Sequence, residues 1–193
     1  MIRFIGDLSN ADAQVLWGFT STNSRILEFG VGGSTQIFAQ KKPKRLVSLD
    51  NSQEWIDRTR QNLDTLGVAD QAEIYLYDKI PLDTYDFVFV DGDWPNRFRF
   101  MEEAWPMIRA GGMMVVHDTR RWFDVENVSK FLTAKFEEIN FVTVNYMDSN
   151  CSLICKRGRL VYENWNEGKP SWLFGNGEPG PLEEWQVIEW EEE

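Results

Sequence analysis

The stretch Ile26-Leu27-Glu28-Phe29-Gly30-Val31-Gly32-Gly33-Ser34-Thr35 decides the fold. An apolar run from Arg25 to Phe29 leads straight into glycines, and Ser34 to Gln40 can form a helix directly after them. Glycines let the chain turn sharply and let a ligand approach the backbone. The helix N-terminus adds amides that have no intrahelical partner. Gly30, Gly32, Gly33 and Ser34 are therefore candidate ligand contacts. Two details narrow the ligand. Glu28 stands two residues before the first glycine, where a carboxylate suits a cationic amino-acid or sulfonium group better than a pyrophosphate. The third glycine of the strict dinucleotide pattern would fall at position 35, which is Thr35. Asp50 then closes the next apolar run, RLVSLD, about 20 positions after Gly30, where an acid can bind both ribose hydroxyls.

Working outward, Ser9 reads as an N-cap with Asp12 as its capping carboxylate, which predicts a helix over 9–20. Ser52 opens a longer helix to Leu66, ended by Gly67. Ala72–Tyr77, Tyr85–Asp91 and the MMVVHD run after Gly111-Gly112 read as strands. Arg97–Ile108 reads as a helix that Pro106 kinks or shortens, and Val125–Glu138 as another. Phe141–Met147 and Cys151–Lys156 flank a turn and form a closing hairpin. Strands alternating with helices imply a mostly parallel α/β sheet covered on both faces. Only Asp78 to Thr84 joins the third and fourth strands, too short for a crossover helix.

Glu28-Phe29-Gly30-Val31-Gly32, then Asp50, FVFVDGD (Phe87–Asp93) and AGGMMVVHDT (Ala110–Thr119) together resemble the class I S-adenosylmethionine-dependent methyltransferases, over about residues 25 to 157. The resemblance implies a Rossmann-like methyltransferase fold: a mostly parallel seven-stranded sheet with an antiparallel C-terminal hairpin and helices on both faces. It implies S-adenosylmethionine as cofactor. Glu28 and the glycines would hold its methionine end, Asp50 its ribose, and Asp78 would sit near the adenine, with Asp91 also in the cofactor site. The small-molecule O-methyltransferases of the catechol and macrocin type are nearest in look. By that likeness Asp91 and Asp118 would bind a divalent cation, magnesium, which positions an acceptor hydroxyl and lowers its pKa. Two departures stand against the metal. Thr119 occupies the place of a ligating Asn, and the lysine base has no counterpart near Trp94.

His117, the single histidine, is a candidate general base because an unperturbed imidazole titrates near neutrality. Strand alternation would turn it away from Asp118. Asp91, Asp118 and His117 form the candidate catalytic set, and Trp94, Arg97 and Arg99 are candidate acceptor-pocket residues. The function expected is methyl transfer to a small-molecule acceptor, at oxygen. A non-catalytic S-adenosylmethionine-binding module is the alternative, and an NAD-dependent oxidoreductase a weaker one, disfavoured by Glu28 and Thr35.

The net charge of −11 argues against a nucleic-acid backbone partner. No apolar stretch approaches the roughly 20 residues that span a bilayer. The N-terminal residues lack a long apolar signal region, so a cytoplasmic protein is expected. Cys151 and Cys155 on one strand would lie about 13 Å apart, too far for a disulfide, and are expected as buried thiols. Residues 1–159 are read as the methyltransferase-like domain. Residues 160–193 are read as an extension that holds four of the nine tryptophans (Trp165, Trp172, Trp185, Trp190) and nine acids against one lysine. That extension would be a strap packed on the domain, a lid over the acceptor site, or a homodimer contact through its aromatics.

Overall fold

The computed structural model describes residues 2–158 apart from Lys79. The acidic, Trp-rich extension expected over 160–193 lies outside the described residues, and so does the homodimer contact read from it. Chain order within the described part is α1 (Asn10–Gly18), β1 (Arg25–Phe29), α2 (Gly33–Gln40), β2 (Arg45–Asp50), α3 (Gln53–Leu66), β3 (Glu73–Leu76) and β4 (Tyr85–Val90). It continues with α4 (Arg97–Ala104), β5 (Ile108–Val116), α5 (Trp122–Lys135), β6 (Ile139–Thr143) and β7 (Ser152–Lys156). The seven strands form one sheet in the order β3-β2-β1-β4-β5-β7-β6. The first five run parallel, and β7 is antiparallel to both β5 and β6. This is the Rossmann-like arrangement expected, closing hairpin included.

Side-chain alternation along the strands explains the layering. Ile26, Leu46, Phe87, Phe89, Val115 and Leu153 point to one face and bury Val15, Leu16, Ile37, Phe38, Ile56 and Leu63 from α1, α2 and α3. Leu27, Phe29, Val47, Leu49, Val88, Val90, Met114, Val116 and Ile154 point to the other and bury Phe100, Met101, Val128 and Phe131 from α4 and α5. Both faces are covered, which is why the strands read as continuous apolar runs.

The local signals act as the chemistry requires. Ser9 and Asp12 form a reciprocal capping box at α1. Ser52 caps α3, and Gly67 ends it in the left-handed conformation. Between β3 and β4 no helix occurs among the described residues. Several boundaries differ from the sequence reading: the strand expected over Phe141–Met147 runs Ile139–Thr143, because Asn145 and Met147 turn into the left-handed region. Pro106 stops α4 at Ala104, and a 3-10 turn over Trp105–Met107 follows. Gly111 and Gly112 lie inside β5 rather than before it, where the pairing with β4 shifts register; a Cβ at Gly112 would meet the Asp86 carbonyl at 2.9 Å. Helix α5 begins at Trp122, three residues earlier than expected. Cys151 and Cys155 are buried free thiols. No described helix is long and apolar enough to cross a membrane.

The sheet order reverses between β1 and β4, the place where open α/β sheets leave a crevice beyond their carboxyl ends. There the two chains touch backbone to backbone. The amides of Asp91 and Gly92 both donate to the Phe29 carbonyl, at 2.9 and 2.7 Å. Gly30 has φ +92°, and a Cβ on it would lie 2.7 Å from the Gly92 nitrogen. Gly30→Ala is therefore expected to cost about 2–4 kcal/mol, from backbone strain plus overpacking. Urea unfolding measures it. A loss under about 0.5 kcal/mol, within the range of ordinary surface substitutions, would show that this contact does not constrain the fold.

Candidate functional site

The crevice at the switch point is a cleft of about 750 Å³, within the usual range for small-molecule sites. Its floor is the loop Gly30–Ser34; Asp50, Asn51 and Ser52 close one side, and Asp91–Asp93, Arg97, Asp118 and Arg121 the other. Residues Ile5–Leu8 complete the wall. Gln36 holds them there: its side-chain amide accepts from the Ile5 amide at 2.9 Å and donates to the Ile5 carbonyl at 2.9 Å. The sequence reading missed this N-terminal wall, because its anchor is a glutamine one turn into α2 that carries no motif.

Asp50 is placed at the loop as expected, with both oxygens in use. Oδ2 accepts the Val31 amide at 2.9 Å and Oδ1 the Ser52 amide at 2.8 Å. One carboxylate thus ties the glycine loop to the start of α3 while lining the cleft. Glu28 is placed differently from the expectation. It is fully buried beneath the loop and is not part of the cleft wall. Its Oε2 accepts hydroxyls from Thr35 at 2.7 Å and Ser48 at 2.6 Å, and Thr35 in turn accepts the Gly32 amide at 3.0 Å. Thr35, which breaks the dinucleotide pattern, is therefore the relay that shapes the loop. Burial pushes the Glu28 carboxyl up to about 7, against the hydroxyls of Ser34, Ser48 and Thr35. Oε1 has no hydrogen-bond partner.

Asp78 is exposed and lines neither the cleft nor the small hollow beside it. The chain leaves β3 two residues earlier, so the adenine-side expectation for Asp78 does not fit. Tyr77 lines that hollow instead, with Phe29, Phe100 and Asn51. Phe29 and Phe100 stack there at 4.7 Å between ring centroids.

At the ends of β4 and β5, Asp91, His117 and Asp118 converge, each offering a donor atom within 4.8 Å of the others. Strand alternation fails as a guide here because β5 ends at Val116 and Asp118 turns into the left-handed region, φ +59°. His117 Nδ1 lies 2.9 Å from Asp91 Oδ1, and Nε2 faces Asp12 Oδ2 at 3.4 Å. Burial works against a charged ring, but Asp12 and Asp91 outweigh it and push His117 up to about 10. The ring holds its proton at neutral pH and lies outside the cleft wall, so the general-base role expected for it does not fit. Asp12 is buried too; burial alone would raise it, but His117, Ser9 and the Asn150 amide hold it well below the usual carboxylate range.

Arg97 fills the space between the two acids. Its guanidinium is 3.1 Å from Asp91, 3.2 Å from Asp118 and 2.9 Å from Asp124, and its side chain is 4 % exposed. The remaining N–H groups donate to the carbonyls of Gly92, Asp91 and His117 at 2.9, 2.9 and 3.0 Å. Arg121 adds a second contact to Asp118 at 2.7 Å. Thr119 turns away: its hydroxyl bonds Asn145 and the Asn150 carbonyl, and it accepts from Ser152. Magnesium therefore does not fit these residues as they stand, since a guanidinium already neutralises both acids and Thr119 offers nothing to the same point. Arg99 is exposed and pairs with Glu103. The Trp94 side chain lies outside the described residues.

No protein-family model matches this chain. A catechol O-methyltransferase of Mycobacterium tuberculosis is 30 % identical over 107 residues, 50 % of this chain and 49 % of that protein. The chain therefore spans about half the length of the curated relative it matches. An O-methyltransferase of Streptomyces achromogenes involved in tomaymycin synthesis, solved with S-adenosylmethionine, is similar with TM-score 0.62 and 20 % identity, covering 80 % of this chain and 83 % of that one. An O-methyltransferase of Bacillus cereus, solved with S-adenosylhomocysteine, gives TM-score 0.62 and 20 % identity over 78 % and 82 %. The S-adenosylmethionine-dependent O-methyltransferase of Thermotoga maritima gives 0.64 and 15 % over 80 % and 68 %. The fold is that of the Rossmann-like nucleotide-binding proteins. Within that class it is the fold of the class I methyltransferases.

Glu28 supplies a pH test of the loop. Its carboxyl goes from about 4.5 unfolded to about 7 folded. Between those values the folded chain binds the extra proton, so this group makes stability fall as pH rises across the window. The loss is on the order of 3 kcal/mol. Chemical denaturation from pH 4 to 8 should show Glu28→Gln with a flatter profile than the wild type; parallel profiles would mean the carboxyl is not buried as described.

Proposed function

We propose that this chain is an S-adenosylmethionine-dependent methyltransferase acting on an oxygen of a small molecule. The observation that carries the reading is the Gly30–Ser34 loop pinned to Asp50 at the mouth of the switch-point cleft. The curated relative and the ligands of the similar structures support the same cofactor.

The residues fit that cofactor on their own evidence. Gly32 leaves open space where a Cβ would stand, so a ligand can lie against the loop backbone. The first-turn amides of α2 border the cleft, suited to a carboxylate. Glu28 lies beneath the loop and acts on the cleft through Thr35, which holds the Gly32 amide. Asp50 lines the cleft and keeps lone pairs for ribose hydroxyls. When bound, S-adenosylmethionine supplies an electrophilic methyl on sulfur. The chain's part is positioning: the loop and Asp50 fix one reactant, and the Asp91–Asp118 side of the cleft frames the other. Ile5–Leu8 form the remaining wall of the cleft.

Calorimetry should detect S-adenosylmethionine and S-adenosylhomocysteine but not NAD. Tight NAD binding with no response to either methionine nucleoside would overturn the proposal. Asp50→Ala should weaken S-adenosylhomocysteine binding by about 1.5–3 kcal/mol with the circular dichroism spectrum retained. An unchanged dissociation constant would place the ribose elsewhere. Cofactor binding without methyl transfer to any tested acceptor would favour the non-catalytic module.

A further inference from the structure

The Asp91–Asp118 corner has the carboxylates of a divalent-cation site and a guanidinium inside it. We propose that Arg97 is the resident cation of this corner, so that the protein binds no divalent metal there. The acceptor oxygen in the cleft is then one that is ionised without metal assistance, such as a carboxylate or an acidic phenol. The second half rests on the methyltransferase reading; the first does not.

Charge and geometry carry the inference. Arg97 Nη2 touches Asp91 Oδ1 and Asp118 Oδ2 at 3.1 and 3.2 Å, so one nitrogen already spans the two acids. The guanidinium is held from every side. Nε donates to Gly92, Nη1 donates to the His117 carbonyl and faces Asp124, and Nη2 donates to Asp91. A planar fork with all its nitrogens engaged cannot be displaced by a small rotation, unlike a lysine. Its burial adds a second barrier, because expelling it would strand Asp124, which is itself 2 % exposed. A dication entering here would meet a fixed cation at contact range.

The same saturation defines the acceptor. With its nitrogens engaged by protein oxygens, Arg97 offers no donor to a substrate hydroxyl, and the His117 ring lies outside the cleft wall against Asp91. Neither lowers an acceptor pKa. Arg97 and Arg121 are paired with acids, so the exposed Arg58 at the cleft rim is the arginine that an acceptor arriving as an anion would meet. Methyl transfer to such an oxygen forms the C–O bond and breaks the C–S bond, leaving the electron pair on sulfur, and no proton has to be removed.

The test reads cation occupancy directly. Mn²⁺ is titrated into the wild-type chain, with and without S-adenosylhomocysteine, and free Mn²⁺ is followed by electron paramagnetic resonance. No binding tighter than about 1 mM is expected, weaker than any functional carboxylate site. Arg97→Met should bind Mn²⁺ at least about tenfold more tightly and gain thermal stability from it, while Arg97→Lys should behave more like the wild type. Wild-type binding that disappears in Asp118→Asn would overturn the proposal, and this arm stands even where Arg97→Met does not fold. Cofactor affinity, measured on the same samples, tells a failure of this inference from a failure of the methyltransferase reading.

Discussion

A buried guanidinium surrounded by three carboxylates organises the carboxyl edge of the sheet. Arg97 sits at the start of α4, Asp91 just past β4, Asp118 just past β5 and Asp124 in the first turn of α5. One side chain therefore joins two neighbouring strands to the two helices that cover them. A buried charge of this kind adds little net stability against an apolar substitute, but removing one member leaves the others uncompensated at a cost of about 3–5 kcal/mol. The arrangement is thus a constraint on geometry more than a source of stability. It fixes where the loops after β4 and β5 can go, and Asp118 accepts a left-handed backbone to take part.

A second chain of interactions runs back from this cluster to the N-terminus. Asp12 caps α1, accepts the Asn150 amide at 2.7 Å and faces His117. Residues 138 apart in sequence are joined through one carboxylate, and α1 is held against the loop before β7. With Gln36 clamping Ile5, these contacts bring the N-terminal segment over the glycine loop. Burial of Glu28 under that loop, with Thr35 and Ser48 as its partners, gives the opposite wall its shape. Both walls are therefore set by buried acids whose surroundings differ: Asp12 is held ionised by a cation, whereas Glu28 has only hydroxyls and rises toward neutrality.

Much of this was legible in the residues. Continuous apolar runs beside a glycine turn are what a two-sided parallel sheet demands, and the short Asp78–Thr84 link could not hold a helix. Asp50 was legible because a strand-end acid at that distance from a glycine loop has few other places to stand. The carboxylates at 91 and 118 were legible as a pair, but not their occupant. Arg97 read as a candidate acceptor-pocket residue alongside Trp94 and Arg99, and a sequence carries no sign that its guanidinium points inward to fill the space between two acids. Asp12 read as a helix-capping acid, a role it also plays, and Asp124 stood just before the helix expected from Val125, with nothing to mark it as a partner of Arg97. His117 was misjudged as a base because an unperturbed imidazole was assumed, while its two flanking acids come from positions 12 and 91 and are not neighbours in sequence. Glu28 was legible as important, yet its burial depends on Ser48 from the neighbouring strand, a pairing that only the register supplies.

The most direct test is a crystal structure grown with S-adenosylhomocysteine and excess MnCl₂, with anomalous data collected at the manganese edge. The expected result is the nucleoside lying along Gly30–Ser34 with its ribose at Asp50, and the Arg97 guanidinium between Asp91 and Asp118 with no anomalous peak beside it. An anomalous peak between those two carboxylates, with Arg97 displaced, would contradict the assignment of the corner. A nucleoside bound away from the glycine loop would contradict the assignment of the cleft.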